Sequence, residues 1–170
     1  MSLKWICAIS ENGIMWNKDK IPRHKKEDLK RFKALTQWKI VALWRKTYDS
    51  LKYYWPNSEW YPHAKENIVI SRHWWTTIPN VINRSKAEEI RVLWWWEIFK
   101  QLMPYIDELY LTIVEWNYEW DTKFPENFKQ YFDSKKTKIE NWLDEWTKYE
   151  TYYKSSEASL ENWESRNDVK

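Results

Sequence analysis

The first ten residues set the pattern. Residues 3–10, Leu-Lys-Trp-Ile-Cys-Ala-Ile-Ser, are apolar and β-branched enough to predict a buried strand in a central position. A polar stretch over 11–26 reads as a long loop. Pro22 interrupts it, and Glu27 and Asp28 then stand where the first turn of a helix favours negative charge, with Leu29, Phe32 and Leu35 recurring at i, i+3 and i+6. That spacing predicts a helix over 27–36. Further on, the pattern predicts a short buried strand over 39–43, a helix over 45–51, and a long segment over 52–66 rich in Tyr, Trp and Pro. A strand and its end follow over 67–72, then a short helix over 86–89, a parallel strand over 90–93 and a helix over 96–103 entered directly from it. Residues 107–114 are apolar enough for another central strand, and 120–125 form a turn. Residues 136–140 and 147–154 alternate like two strands of a closing hairpin around 142–146. One domain over 1–155 and a frayed polar tail over 156–170 are therefore expected.

Asp28 and Phe32 lie four apart and share a helix face. A flat polar heterocycle can stack on Phe32 while its amidine-like edge meets the Asp28 carboxylate. Taken alone, the pattern favours a plainer reading, because acidic residues in first turns are common and usually solvated.

Composition narrows the field. A length of 170 residues fits a single core. Lys and Arg number 28 and Asp and Glu 25, so the net charge of +3 is too mild to imply a nucleic acid or an acidic membrane surface. No apolar run approaches the ~20 residues of a membrane span, and no leader pattern opens the chain, so a soluble cytoplasmic protein is expected; a monomer is expected separately. Cys7 is the single cysteine, and His24, His63 and His73 show no ligand spacing, so neither a disulfide framework nor a metal site is expected. The 16 Trp and 11 Tyr admit a second reading, a stacking platform for single-stranded nucleic acid. Against it, the aromatics cluster at turn positions and not in an alternating basic strand pattern.

Six ordered segments bring the first reading into focus. They are Ile9-Ser10-Glu11-Asn12-Gly13-Ile14, the run from Ile21 to Lys33, Trp44-Arg45-Lys46-Thr47-Tyr48-Asp49-Ser50-Leu51, Asn67-Ile68-Val69-Ile70-Ser71-Arg72, Val92 to Leu102, and Leu109-Tyr110-Leu111-Thr112 with Trp120-Asp121-Thr122-Lys123-Phe124-Pro125. Together they resemble dihydrofolate reductase of the bacterial type over about residues 3–155. The resemblance implies an α/β fold, a central and mostly parallel twisted sheet with flanking helices and a C-terminal antiparallel hairpin. It implies NADPH-dependent reduction of 7,8-dihydrofolate to tetrahydrofolate, with hydride passing to pterin C6 and a proton to N5. A reductase of riboflavin biosynthesis shares this fold, but the Ile21 to Phe32 segment with Asp28 is specific to folate.

By that resemblance Asp28 orients the pterin, Thr112 bonds Asp28 and a shared water, and Ile6, Ala8, Leu29, Phe32 and Leu51 line the substrate pocket. Lys65 aligns with the arginine that grips the folate tail, although the longer 52–66 segment loosens the register. Arg45, Lys46 and Thr47 fall to the cofactor's phosphates, which helix N-termini and guanidinium forks bind well. Ser71 and Arg72 fall beside the 2′-phosphate. Trp16, Trp44, Leu93, Trp94, Trp95, Trp96, Ile98 and Thr122 complete the expected cofactor contacts. Arg23 replaces the family's Trp after the Ile-Pro pair, which leaves the proton route open.

The chain has one Gly where a domain of this length normally carries about 7%, roughly twelve. Trp44, Trp94, Trp95, Trp96, Trp120 and Trp16 all stand where the resembled family has glycine. Such places need positive φ or a missing side chain, and indole offers neither. A UGA codon read as tryptophan instead of glycine accounts for the pattern, and the Lys-, Ile-, Asn- and Tyr-rich composition suits an AT-rich genome in which such codons accumulate. A deliberately aromatic-rich design is the alternative.

Overall fold

The computed structural model describes residues 2–16, 26–54, 61–71, 76–93, 101–115, 122–141 and 147–155, with the backbone path alone at 16, 26–27, 50–54, 122 and 141. Its centre is a seven-stranded sheet in the order β4-β3-β5-β1-β6-β9-β8. The strands are β1 (Ser2–Ser10), β3 (Ile40–Trp44), β4 (Glu66–Ile70), β5 (Glu89–Leu93), β6 (Glu108–Val114), β8 (Lys138–Asn141) and β9 (Thr147–Tyr153). β1 runs parallel to β5 and β6, and β3 parallel to β4 and β5, while β9 is antiparallel to both β6 and β8. The sheet and its closing hairpin match the sequence reading. β1 and β3 are near-continuous apolar runs, as strands covered on both faces require, and β5 is as deeply buried although it carries Arg91.

Three α-helices are described, α1 (Lys26–Thr36), α2 (Arg45–Tyr54) and α3 (Ile78–Ser85), with 3-10 turns at Met103–Tyr105 and Glu126–Tyr131. The short helix expected over 86–89 is not there. Lys86 to Glu88 form a turn and Glu89 opens β5, while the helix occupies 78–85 instead. The cause lies in Ile78, Val81 and Ile82, an i, i+3, i+4 apolar stripe, with Pro79 in the first turn, where its missing N–H costs nothing. Lys86, Ala87 and Glu88 have good helix propensity but no apolar stripe to bury.

The expected loop over 11–26 also contains structure. β2 (Ile14–Trp16) pairs antiparallel with β7 (Thr122–Lys123), and the Phe124 N–H reaches the Gly13 carbonyl at 2.7 Å. Gly13 sits at φ +78, a conformation open to glycine at little cost. Trp38, just past the end of α1, adopts φ +59 with its side chain 75% exposed. Its N–H reaches the His63 carbonyl at 2.9 Å, while the preceding Gln37 N–H closes on Lys33. This is the left-handed helix ending that glycine normally supplies. Trp5 is the opposite case, a fully buried indole on the central strand between Val92 and Leu109.

At the amino ends of the central strands a charged cluster ties the sheet to α1. Lys4 Nζ lies 3.0 Å from Glu89 and 3.1 Å from Glu108, and the buried Arg91 donates to the Leu35 carbonyl at 2.5 Å and to Glu89 at 3.0 Å. Burial opposes ionisation of Glu89, but the hydrogen bonds from Lys4 and Arg91 outweigh it and hold its carboxyl at about 2. No described helix is long and apolar enough to cross a membrane.

Candidate active site

The carboxyl ends of the parallel strands are where an open α/β sheet receives ligands. Strand register places the side chains there. Ile6 pairs with Leu93 on one side and Tyr110 on the other, Ala8 pairs with Thr112, and Thr112 pairs with Tyr149 of β9. Register partners share a face, so Ile6, Ala8, Thr112 and Tyr149 look out on the same side of the sheet.

Helix α1 lies on that side. Its Arg31 donates from Nη1 to the Thr112 hydroxyl at 3.2 Å, and the guanidinium carbon rests 4.0 Å above the centroid of the Tyr149 ring. Asp28 and Phe32, each only 2% exposed, flank Arg31 on the same helix. A carboxylate this deeply buried is uncommon without a chemical task. Leu29 is more open at 36%, as a residue at the lip of a cleft would be.

Behind Phe32 stands Tyr61, which belongs to the aromatic-rich 52–66 segment. Its ring centroid is 5.5 Å from that of Phe32, and its hydroxyl meets Thr36 Oγ1 at 2.8 Å. Burial pushes the Tyr61 phenol up to about 12, although the Thr36 hydrogen bond pulls the other way. His63 stands edge-on to Tyr61, and burial together with the Lys33 charge lowers its pKa. Lys65 is exposed at the foot of β4, its N–H held by the Lys39 carbonyl at 2.9 Å.

Of the expected phosphate residues, Arg45, Lys46, Thr47 and Ser71 lie at a second edge of the same end. α2 begins at Arg45, directly after β3 ends at Trp44, so its first-turn N–H groups open at the carboxyl edge beside Ile70, the register partner of Trp44. Arg45 and Lys46 are exposed, Thr47 is fully buried, and Ser71 follows β4 with its N–H on the Thr76 carbonyl. Arg45 has an i, i+4 contact with Asp49 at 4.0 Å, too open to neutralise it. A helix start with two exposed cations suits a phosphate, and Leu93 ends β5 within the same row. Trp16 lies on β2, Leu51 in α2 and Thr122 on β7 as backbone positions. Arg23, Arg72, Trp94, Trp95, Trp96, Ile98, Trp120 and Asp121 lie outside the described residues.

The dihydrofolate reductase family model matches residues 2–157. The chain belongs to the dihydrofolate reductase family. Among its relatives are the dihydrofolate reductase of Buchnera aphidicola subsp. Acyrthosiphon pisum, 34% identical over 152 residues and covering 81% of this chain and 91% of that protein. The enzyme of Haemophilus influenzae is 30% identical over 135 residues, 74% of this chain and 80% of its own. A solved structure of the Enterococcus faecalis dihydrofolate reductase, complexed with NADP(H) and RAB-propyl, superposes with a TM-score of 0.73 at 26% identity. It covers 91% of this chain and 97% of its own. The reaction of this chain is accordingly the NADPH-dependent reduction of 7,8-dihydrofolate to 5,6,7,8-tetrahydrofolate, and NADPH is its cofactor.

The structure adds Arg31, Tyr149 and Tyr61 to the residues expected around Asp28 and Thr112. Arg31 is signalled by its helical spacing, three residues from Asp28. Tyr149 is not, because only the register of the last strand brings it beside Thr112.

Proposed function

We propose that Asp28 is the group that orients the pterin and favours protonation of N5. The observation that carries this is the burial of Asp28 and Phe32 together on α1, the helix that Arg31 ties to the Thr112 edge of the sheet. Phe32 offers a ring for one face of the pterin, Asp28 accepts from its amino edge, and Thr112 adds a hydroxyl nearby. Ile6, Ala8, Leu29 and Leu51 line the pocket, and Lys65 meets the acidic tail as a point charge without the bidentate fork. NADPH supplies the hydride. Arg45, Lys46, Thr47, Ser71 and Arg72 hold its phosphates, with Trp16, Trp44, Leu93, Trp94, Trp95, Trp96, Ile98 and Thr122 around it. The protein's work is positioning, since it offers no nucleophile.

Glycine is the residue proposed at the family's glycine positions among the tryptophans, and the φ of Trp38 adds a further place where it fits. UGG codons at Trp94 to Trp96 would overturn this. The enzyme is proposed to act as a cytoplasmic monomer, folded over 1–155 with 156–170 as a tail.

The test is Asp28→Asn. Asparagine still hydrogen-bonds the pterin edge, so the fold and much of the dihydrofolate affinity should remain, while turnover at neutral pH falls by about 10²–10⁴-fold, the usual contribution of a positioned acid–base group. Near-normal turnover in this variant would move the acid function elsewhere, with Thr112 and its water next in line.

A further inference from the structure

We infer that Arg31 is a positioning residue of the reductase site, fixing the direction in which Thr112 gives its hydroxyl proton. This rests on the roles proposed above for Asp28 and Thr112. A guanidinium carries donors only and stays charged at any working pH, whereas a hydroxyl has one proton and two acceptor lone pairs. Because Arg31 Nη1 donates to Thr112 Oγ1 at 3.2 Å, it occupies a lone pair and the Thr112 proton must point away from it. One turn back along the same helix is Asp28, whose carboxylate accepts, and the substrate's polar edge comes to the same place. Arg31 thus sets up a one-way chain of donors: guanidinium to hydroxyl, and hydroxyl to the carboxylate or pterin side.

Two features make the arrangement rigid. Thr112 is 2% exposed on a central strand between Ala8 and Tyr149, so its side chain has little freedom. The guanidinium lies 4.0 Å above the ring of Tyr149, the register partner of Thr112, which holds its plane by stacking and cation–π attraction. The motif therefore joins three elements, α1, β6 and β9, around one hydroxyl.

A double-mutant cycle tests it, with Arg31→Met, Thr112→Val and the pair, read by steady-state reduction of dihydrofolate at saturating NADPH and by thermal melts. Loss of one charge-assisted hydrogen bond predicts that Arg31→Met lowers kcat/KM for dihydrofolate about tenfold. In the Thr112→Val background the same change should cost less than about twofold, because the hydroxyl it orients is gone. The dissociation constant of NADPH should not move. Equal losses in both backgrounds, or no loss in the first, overturn the inference. Should Arg31→Met fail to fold, Arg31→Lys carries the same cycle. It keeps the charge and a donor but not the planar stack, so it should lose less than Met and still show the coupling. Full turnover in Asp28→Asn would instead overturn the site assignment itself, whereas a damaged Asp28→Asn beside an additive cycle overturns Arg31 alone.

Discussion

Replacing Trp38 by glycine should stabilise the protein, and replacing Trp5 by glycine should destabilise it. Trp38 holds φ +59, and a left-handed conformation costs a residue with a Cβ about 1–2 kcal/mol. Its side chain is 75% exposed, so little packing is lost with the indole. Glycine brings back about 0.4–1 kcal/mol of unfolded-chain freedom, which leaves a net gain of roughly 0.5–1 kcal/mol. At about 2–4 °C per kcal/mol for a domain of this size, the melting point rises by about 1–4 °C. Trp5 is 0% exposed, and removing a buried Trp side chain costs about 3–5 kcal/mol before the strand penalty of glycine is added. Its melting point should fall by roughly 10 °C or more. Both variants belong in a background with glycine at 16, 44, 94, 95, 96 and 120, followed by circular dichroism melts with and without NADPH. A fall in melting point for Trp38→Gly would show that the indole there is doing something the backbone does not reveal. Tolerance of Trp5→Gly would extend the glycine proposal into the core.

Acid should act through Glu89. Its folded carboxyl sits at about 2 against an ordinary 4.5, so its contribution is present above about 4.5 and is lost as the pH falls toward about 2; Glu89→Gln should flatten urea-measured stability across that window. An unchanged slope would refute the ion-pair account. Arg45→Ala should raise the KM for NADPH several-fold and leave the KM for dihydrofolate nearly unaltered, because Arg45 stands at the α2 start beside β4 and not on α1. Equal effects on the two constants would place Arg45 elsewhere.

The central strands along the chain and the α1 face were legible because both rest on local pattern. A buried strand reads as an apolar run, and Asp28 and Phe32 share a face by helical spacing alone. Where reading failed, non-local or competing signals decided. The helix at 78–85 opens with Pro79, a residue that breaks helix interiors but is accepted in a first turn, so local pattern alone does not announce it. β2 and β7 are three and two residues long, and among the described residues each pairs as a strand with the other. The contact between Arg31 and Tyr149 depends on how the last strand slides along β6, a register set by which face is buried and not by any motif.

That last strand has a consequence for how the enzyme is made. Ala8, Thr112 and Tyr149 are side by side in the sheet yet belong to β1, β6 and β9, the first, fifth and last of its seven strands in order of synthesis. A chain still on the ribosome can complete the β4-β3-β5-β1-β6 portion while the wall of the pocket behind Arg31 is missing, leaving the outer edge of β6 unpaired until β9 arrives. If the site lies where it is proposed, folate binding needs β9 in place. The interval in which that edge is open lies between emergence of β6 and docking of β9.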